Sequence, residues 1–178
     1  MISPVVLVLA SGRGERFNAS GGSGSKLQAL LAGKPVLQHT LDAVRASGLP
    51  WHVEDAGHPG MGDSIAAAVK ATRDASGWLV LPGDLPLIRP ATLLAVAQAL
   101  ARHSVVVPVV DGRRGHPVGF AAACGNDLAR LEGAEGAARV LRAWGAVELV
   151  VDDAGALIDV DTVADLAAAQ SRFPGSAP

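Results

Sequence analysis

The sequence predicts an α/β fold with a mostly parallel sheet covered by helices on both faces. Three observations carry this. Apolar, largely β-branched runs at Val5–Leu9, Trp78–Leu81 and Val105–Val110 read as strands buried on both sides, the signature of parallel pairing. Segments of helical period alternate with them. The first run passes directly into a glycine loop, Ser11-Gly-Arg-Gly-Glu-Arg-Phe17, a common place for a ligand cradle in open α/β sheets. The 178 residues suffice for one domain that buries roughly 70% of its unfolded surface. That domain is expected over 1–172, with a frayed tail over 173–178.

The elements follow in order. Val36–Ser47 places Val36, Leu37, Thr40, Leu41 and Val44 on one helical face, and Gly48 ends it. Trp51–Glu54 is a short strand. Gly60-Met-Gly62 leads through Asp63 and Ser64 into an alanine-rich helix over Ile65–Ala75. Trp78–Leu81 ends in Pro82-Gly-Asp84-Leu-Pro86. Pro90, favoured in a first turn, opens a helix through Arg102. Val105–Val110 runs into a basic glycine loop, Gly112–Gly119, and then Phe120-Ala-Ala. Helical pieces near Asn126–Leu131 and Gly136–Trp144 precede a strand over Val147–Val151. Asp159-Val-Asp161-Thr162 leads into a last helix, with Thr162 as N-cap and Asp165 at the capping-box position.

Composition narrows the function classes. Hydrophobic residues make up 49% and charged residues 18%, so the chain is globular. A net charge of −2 excludes a nucleic-acid binder that works through bulk electrostatics. Cys124 stands alone, which excludes an intramolecular disulfide and suits a reducing, cytoplasmic setting. Neither a signal peptide nor an apolar run of membrane length is visible, so no membrane partner is expected.

The chemistry lies in loops at the carboxyl ends of the strands: 10–26, 82–86, 111–119 and 158–162. Glycine-exposed N–H groups beside Arg13, Arg16 and Lys26 make a phosphate cradle. It is no Walker loop, because Leu27 follows the lysine. It is a poor dinucleotide fingerprint too, because Phe17 replaces the third glycine and no acidic residue follows at the ribose position. Asp84, at the end of a buried strand, is a natural ligand for a hard cation. Asp159 and Asp161 offer a second carboxylate pair on one side of an extended segment. A cradle with two acidic loops suits phosphoryl or nucleotidyl transfer, where catalysis is positioning and electrostatics. His116, set between Gly115 and Pro117 in the basic loop with Arg113 and Arg114, is placed opposite the first loop and is expected to contact an acceptor. His39 is expected on a helix surface, and Met61 is expected to pack under a loop.

In chain order, Leu9-Ala-Ser-Gly12, Arg16-Phe and Lys26-Leu27, Gly60-Met-Gly-Asp-Ser64, Leu81-Pro-Gly-Asp84-Leu-Pro-Leu87, Gly115-His-Pro-Val-Gly-Phe120 and Ile158-Asp-Val-Asp-Thr162 resemble the MobA-like nucleotidyltransferases. The resemblance covers residues 5 to about 170 and is nearest to the molybdenum cofactor cytidylyltransferase branch. It implies a Rossmann-like nucleotidyltransferase three-layer sandwich, a Mg2+ ion, and transfer of CMP from CTP to Mo-molybdopterin with release of pyrophosphate. Arg16, Lys26 and Asp84 would be catalytic. Leu9, Ala10, Ser11, Gly12, Gly14, Gly62 and Ser64 would join Arg16 and Lys26 around the nucleotide. Asp84 would hold the metal, with Asp159 or Asp161 completing its shell, and Arg114, His116 and Pro117 would hold the acceptor. The implied partners are a nucleoside triphosphate, a molybdopterin-type acceptor and a molybdoenzyme that receives the product.

The chain departs from the family at three places. The gap between Arg16 and Lys26 is long, and its glycine–serine run is expected to lack order without ligand. Gly48–Gly60 is too short for strand–helix–strand, which implies one unit fewer. Gly133-Ala-Glu-Gly136-Ala-Ala-Arg139 only approximates the family's Gly-Asp-x-Gly-Ala-Arg element. Guanylyl transfer, a sugar-phosphate acceptor, and a non-catalytic protein that holds cofactor for a partner stay open as alternatives. A nicotinamide- or flavin-linked oxidoreductase is disfavoured by Phe17.

Overall fold

A computed structural model describes residues 3–173. β1 (Val5–Leu9) leads into a short helix, α1 (Glu15–Ala19), and a small hairpin of β2 (Leu30–Leu31) and β3 (Lys34–Pro35). Then come α2 (Val36–Ser47), β4 (Trp51–Glu54), α3 (Met61–Ala71), β5 (Gly77–Pro82), α4 (Pro90–Ala99) and β6 (Val105–Val110). Three short pieces follow: β7 (Arg113–Arg114), β8 (Val118–Ala121) and α5 (Gly125–Leu128). The chain finishes with α6 (Ala138–Trp144), β9 (Val147–Val150) and α7 (Val163–Gln170). Only β4 lies between Gly48 and Gly60, as the short spacing requires.

The strands make one seven-stranded sheet in the order β4-β1-β5-β8-β6, with β9 and β7 also on β6. β4, β1, β5, β6 and β9 run the same way, while β7 and β8 oppose them. β8 fills the space between β5 and β6. Because it runs backwards, its first residues lie at the carboxyl edge of the other strands, and this brings His116 to the site.

The apolar strands still alternate. Val6, Val8, Leu79 and Leu81 pack with Leu41 and Val44 of α2 and Leu93 and Val96 of α4. Leu7, Trp78, Val80 and Phe120 face the other way, against Ile65 and Val69 of α3, Leu128 of α5 and Val140 of α6. Successive strand residues point to opposite faces, so an unbroken apolar run serves two helix layers and the sandwich has three layers.

Several boundaries moved for identifiable reasons. The helix expected over Ile65–Ala75 runs over Met61–Ala71, with Gly60 as its N-cap. Its end is set by Thr72, whose hydroxyl donates to the Ala68 carbonyl at 2.8 Å and accepts from Trp78 Nε1 at 3.0 Å. α4 stops at Ala99; Leu100 closes it on Val96, and Ala101 and Arg102 continue as i→i−3 turns. His39 is no free surface group. Its Nε2 lies 2.7 Å from the Leu31 carbonyl, and its ring packs 4.9 Å from Phe173. Phe173, expected to fray, is therefore docked, and the rest of the expected tail lies outside the described residues. No helix among the described residues is long and apolar enough to cross a membrane.

Candidate active site

The ends of β1 and β5, the loop after β4 and His116 just before β8 line one cavity of about 510 Å³. Its floor is ionic. Lys26 Nζ lies 2.5 Å from Asp84 Oδ2 and 2.6 Å from Asp161 Oδ1, and all three side chains are largely buried. Arg16 Nη1, on an exposed side chain, pairs with the other Asp161 oxygen at 2.7 Å. Burial alone would weaken the Lys26 ammonium, but Asp84 and Asp161 outweigh it and its pKa is raised. Burial likewise works against the Asp161 carboxylate, and Lys26 with Arg16 reverses that and holds it below the usual range. Asp159 goes the other way: burial, then its hydrogen bond and charge contact with Asp161, push its pKa up.

Local folding explains these placements. Lys26 and Asp84 come together because Leu9 and Gly83 are joined by a backbone hydrogen bond of 2.9 Å at the ends of the paired strands β1 and β5. Asp161 arrives from far along the chain because Val160 N–H donates to the Asp84 carbonyl at 2.9 Å. The Thr162–Asp165 capping box fixes the turn that follows.

The glycine–serine run after Arg16 packs against the fold. Phe17 is buried, and Ser20 Oγ accepts the Val163 N–H at 2.9 Å. The run is thus pinned at two points, by Arg16 on Asp161 just before α7 and by Ser20 on Val163 at its first residue.

Most of the sequence-predicted residues meet here. Leu9, Ser11, Gly12, Gly14, Arg16, Lys26, Ser64, Asp84, His116, Asp159 and Asp161 all line the cavity. Four do not. Ala10 spends its N–H on the Glu54 carbonyl at 2.9 Å. Gly62 packs under the loop after α5, where a Cβ would meet the Glu132 carbonyl at 2.7 Å. Gly60 is just as close to Gly133, so the Gly-Met-Gly spacing serves backbone-to-backbone contact. Pro117 is buried outside the cavity wall. Arg114 sits in a β6–β7 hairpin and pairs with Glu148 across β6 at 2.9 Å, away from His116. The basic loop thus divides into an exposed hairpin that carries both arginines and an inward-turned His116. Met61 is about half exposed on the cavity wall rather than covered.

Two buried polar atoms on the floor have no hydrogen-bond partner, Asp84 Oδ1 and His116 Nδ1. Burial lowers the His116 pKa, partly offset by the nearby Asp84 charge and the Val80 backbone. The donor set fits a hard divalent cation: carboxylate oxygens, one of them unsatisfied. Among the described residues no three His, Cys, Asp or Glu side chains converge as a cage, because Lys26 lies between Asp84 and Asp161. Such an ion would need substrate oxygens to complete its shell.

Over residues 6–149 the sequence matches the MobA-like NTP transferase domain. The chain belongs to that family. Bifunctional protein GlmU of Desulfitobacterium hafniense (strain DSM 10664 / DCB-2) is 28% identical over 64% of this chain and 29% of its own length. The chain therefore spans under a third of the curated relatives it matches. The manganese complex of Rv0371c from Mycobacterium tuberculosis superposes with a TM-score of 0.76 at 23% identity, covering 96% of this chain and 100% of that one. Molybdopterin-guanine dinucleotide biosynthesis protein A from Archaeoglobus fulgidus gives 0.69 at 20% identity, over 94% and 97%. These likenesses show the fold, a MobA-like nucleotidyltransferase sandwich.

Sequence reading missed Glu54 and His58. His58 lines the cavity, and Glu54 is a buried acid beneath it. The signal available was an acidic residue ending a strand with histidines two before and four after it.

Proposed function

We propose that the protein transfers a nucleoside monophosphate from a nucleoside triphosphate to a phosphate-bearing acceptor, specifically CMP from CTP to Mo-molybdopterin. The observation that carries this is the floor cluster: a buried lysine between two carboxylates, under the glycine loop, at the carboxyl ends of parallel strands. Branch-specific support comes from Met61, Ser64 and His116, which the Gly-Met-Gly-x-Ser and Gly-His-Pro elements contribute to the same wall.

The acceptor phosphate is ionised and needs no general base. Its oxygen attacks the α-phosphorus, the α–β bridging P–O bond breaks, and pyrophosphate leaves with the bonding electrons. Lys26 and Arg16 hold the triphosphate and face the charge that grows on the leaving oxygens. Asp84, with Asp161 and Asp159, would hold a divalent cation, Mg2+ by expectation and compatible with the manganese-bound relative. When bound, that ion neutralises phosphate charge. His116, on the far side of Asp84 from the glycine loop, offers its free Nδ1 to the acceptor. Guanylyl transfer is the second reading, favoured by the likeness to the molybdopterin-guanine dinucleotide protein.

Pyrophosphate release with each of the four nucleoside triphosphates, given molybdopterin or a sugar phosphate as acceptor, tests the proposal. Release that depends on molybdopterin and is fastest with CTP is the expected result. Release with a sugar phosphate alone would reassign the acceptor, and no release with any pair would remove the catalytic reading.

A further inference from the structure

Beside the floor lies a second polar cluster that the transfer step does not use. Glu54 ends β4, next to β1. Its backbone carbonyl accepts the Ala10 N–H at 2.9 Å and the Ser11 hydroxyl at 3.1 Å, so it is tied to the glycine loop. Its side chain is only 10% exposed and its carboxylate is fully used. Oε2 faces His52 Nε2 at 3.3 Å, and Oε1 takes His58 Nε2 at 3.0 Å and the Ala56 N–H at 3.3 Å. Burial disfavours this carboxylate, but the His52, Ala56 and His58 contacts prevail and its pKa lies below the usual range. An ionised Glu54 can only accept, so His58 Nε2 donates to it, and in the neutral ring Nδ1 is left as an acceptor. The His58 side chain is a quarter exposed, and it lines the cavity near Gly60 and Met61. No partner is seen for Nδ1 among the described residues, and it is not among the buried unsatisfied atoms. It is therefore accessible to solvent on a side chain that lines the cavity.

Sheet order places this acceptor. Along the carboxyl edge come the end of β4 with Glu54, the loop after β1, the end of β5 with Asp84, and His116 before β8. Phosphates drawn to Lys26 and Asp84 leave the rest of a nucleotide one direction away from the acceptor side, past the glycine loop toward His58. We infer that His58, with its tautomer held by Glu54, is a nucleobase reader that accepts a hydrogen bond from an exocyclic amino group and so favours amino-bearing bases over uracil. His58 touches the base, and Glu54 is a positioning residue. The inference rests on the proposed nucleotide chemistry and adds a side chain that reads the base and the carboxylate that sets its tautomer.

Calorimetric titration of CTP, UTP and inorganic tripolyphosphate into the wild type, His58→Ala and Glu54→Gln tests it. Tripolyphosphate keeps the phosphate contacts and lacks a base. The wild type is expected to bind CTP more tightly than UTP. His58→Ala is expected to lose about three- to tenfold in CTP affinity, the worth of one hydrogen bond, with UTP and tripolyphosphate unchanged. Glu54→Gln frees the tautomer and is expected to shrink the CTP-to-UTP ratio, which loss of loop stability alone would not do. Equal loss for CTP and UTP, or no loss for either, overturns the inference and leaves nucleotide binding standing. Failure of the wild type to bind any of the three overturns the nucleotide reading itself.

Discussion

Lys26 sets the character of the site at the scale of single residues. It is a point charge between two carboxylates, 2.5 and 2.6 Å away, and a planar guanidinium would not fit the same gap. Lys26→Ala is expected to slow pyrophosphate release on the order of 10²-fold or more, because an oriented cation is lost from the leaving phosphates. Lys26→Arg should restore little of it. Asp84→Asn is expected to abolish most turnover while the circular dichroism spectrum stays native. Retained metal-dependent activity in that variant would remove Asp84 from the proposed ligands. Glu54 gives a pH signature of a different kind. Its folded pKa lies below its ordinary value of 4.5, so the stability it contributes is present above pH 4.5 and is lost as pH falls through the folded value. Urea midpoints measured down the acid limb should fall less steeply for Glu54→Gln than for the wild type.

Two loops act as mechanical parts at the scale of elements. The segment after α1 is held by a ring: Phe17 is buried, and a Cβ on Gly22 would lie 2.3 Å from it. Phe17→Ala removes that anchor, and the loss is local because the ring caps a surface loop. Protease cleavage within 17–25 is expected to speed up, the Michaelis constant for nucleotide to rise, and the thermal midpoint to move little. The other loop carries His116, whose N–H donates to the Ala156 carbonyl at 2.9 Å. A Cβ on Gly115 would come within 2.5 Å of that same carbonyl. Backbone cannot give way as a side-chain tip can, so Gly115→Ala is expected to displace His116. Acceptor Michaelis constant should rise several-fold with CTP affinity unchanged. Parallel loss of both would mean a general loosening of the cavity.

One buried carboxylate joins these parts across the whole molecule. Asp153, 2% exposed, accepts from Arg89 N–H at 2.9 Å, Thr92 Oγ1 at 2.6 Å and Gly155 N–H at 3.0 Å. It therefore ties the start of α4 to the turn whose Ala156 carbonyl holds His116. Asp153→Ala would strand three donors, two of them buried. It is expected to cost about 2–4 kcal/mol in urea unfolding and to weaken acceptor use through His116. A full loss of stability with unchanged acceptor kinetics would show that the tie is structural only.

What the sequence determined by itself was local or periodic. The runs around Leu7, Val80 and Val107 could only be buried strands, Gly48 had to end its helix, and Thr162 and Asp165 are a capping box whose two halves are three residues apart. The motif spacing also sufficed to bring Arg16, Lys26, Asp84 and Asp161 to one edge, since strand ends in a parallel sheet share that edge. Tertiary structure decided the rest. That β8 runs backwards beside β5, and so delivers His116, depends on a ladder with residues about forty positions earlier. Arg114 turned out to face Glu148 because a two-residue hairpin reverses the side on which it emerges, which charge and spacing do not encode. Glu54 and His58 left only a faint spacing signal for a related reason: a carboxylate can fix a histidine tautomer only once burial removes water as the competing partner.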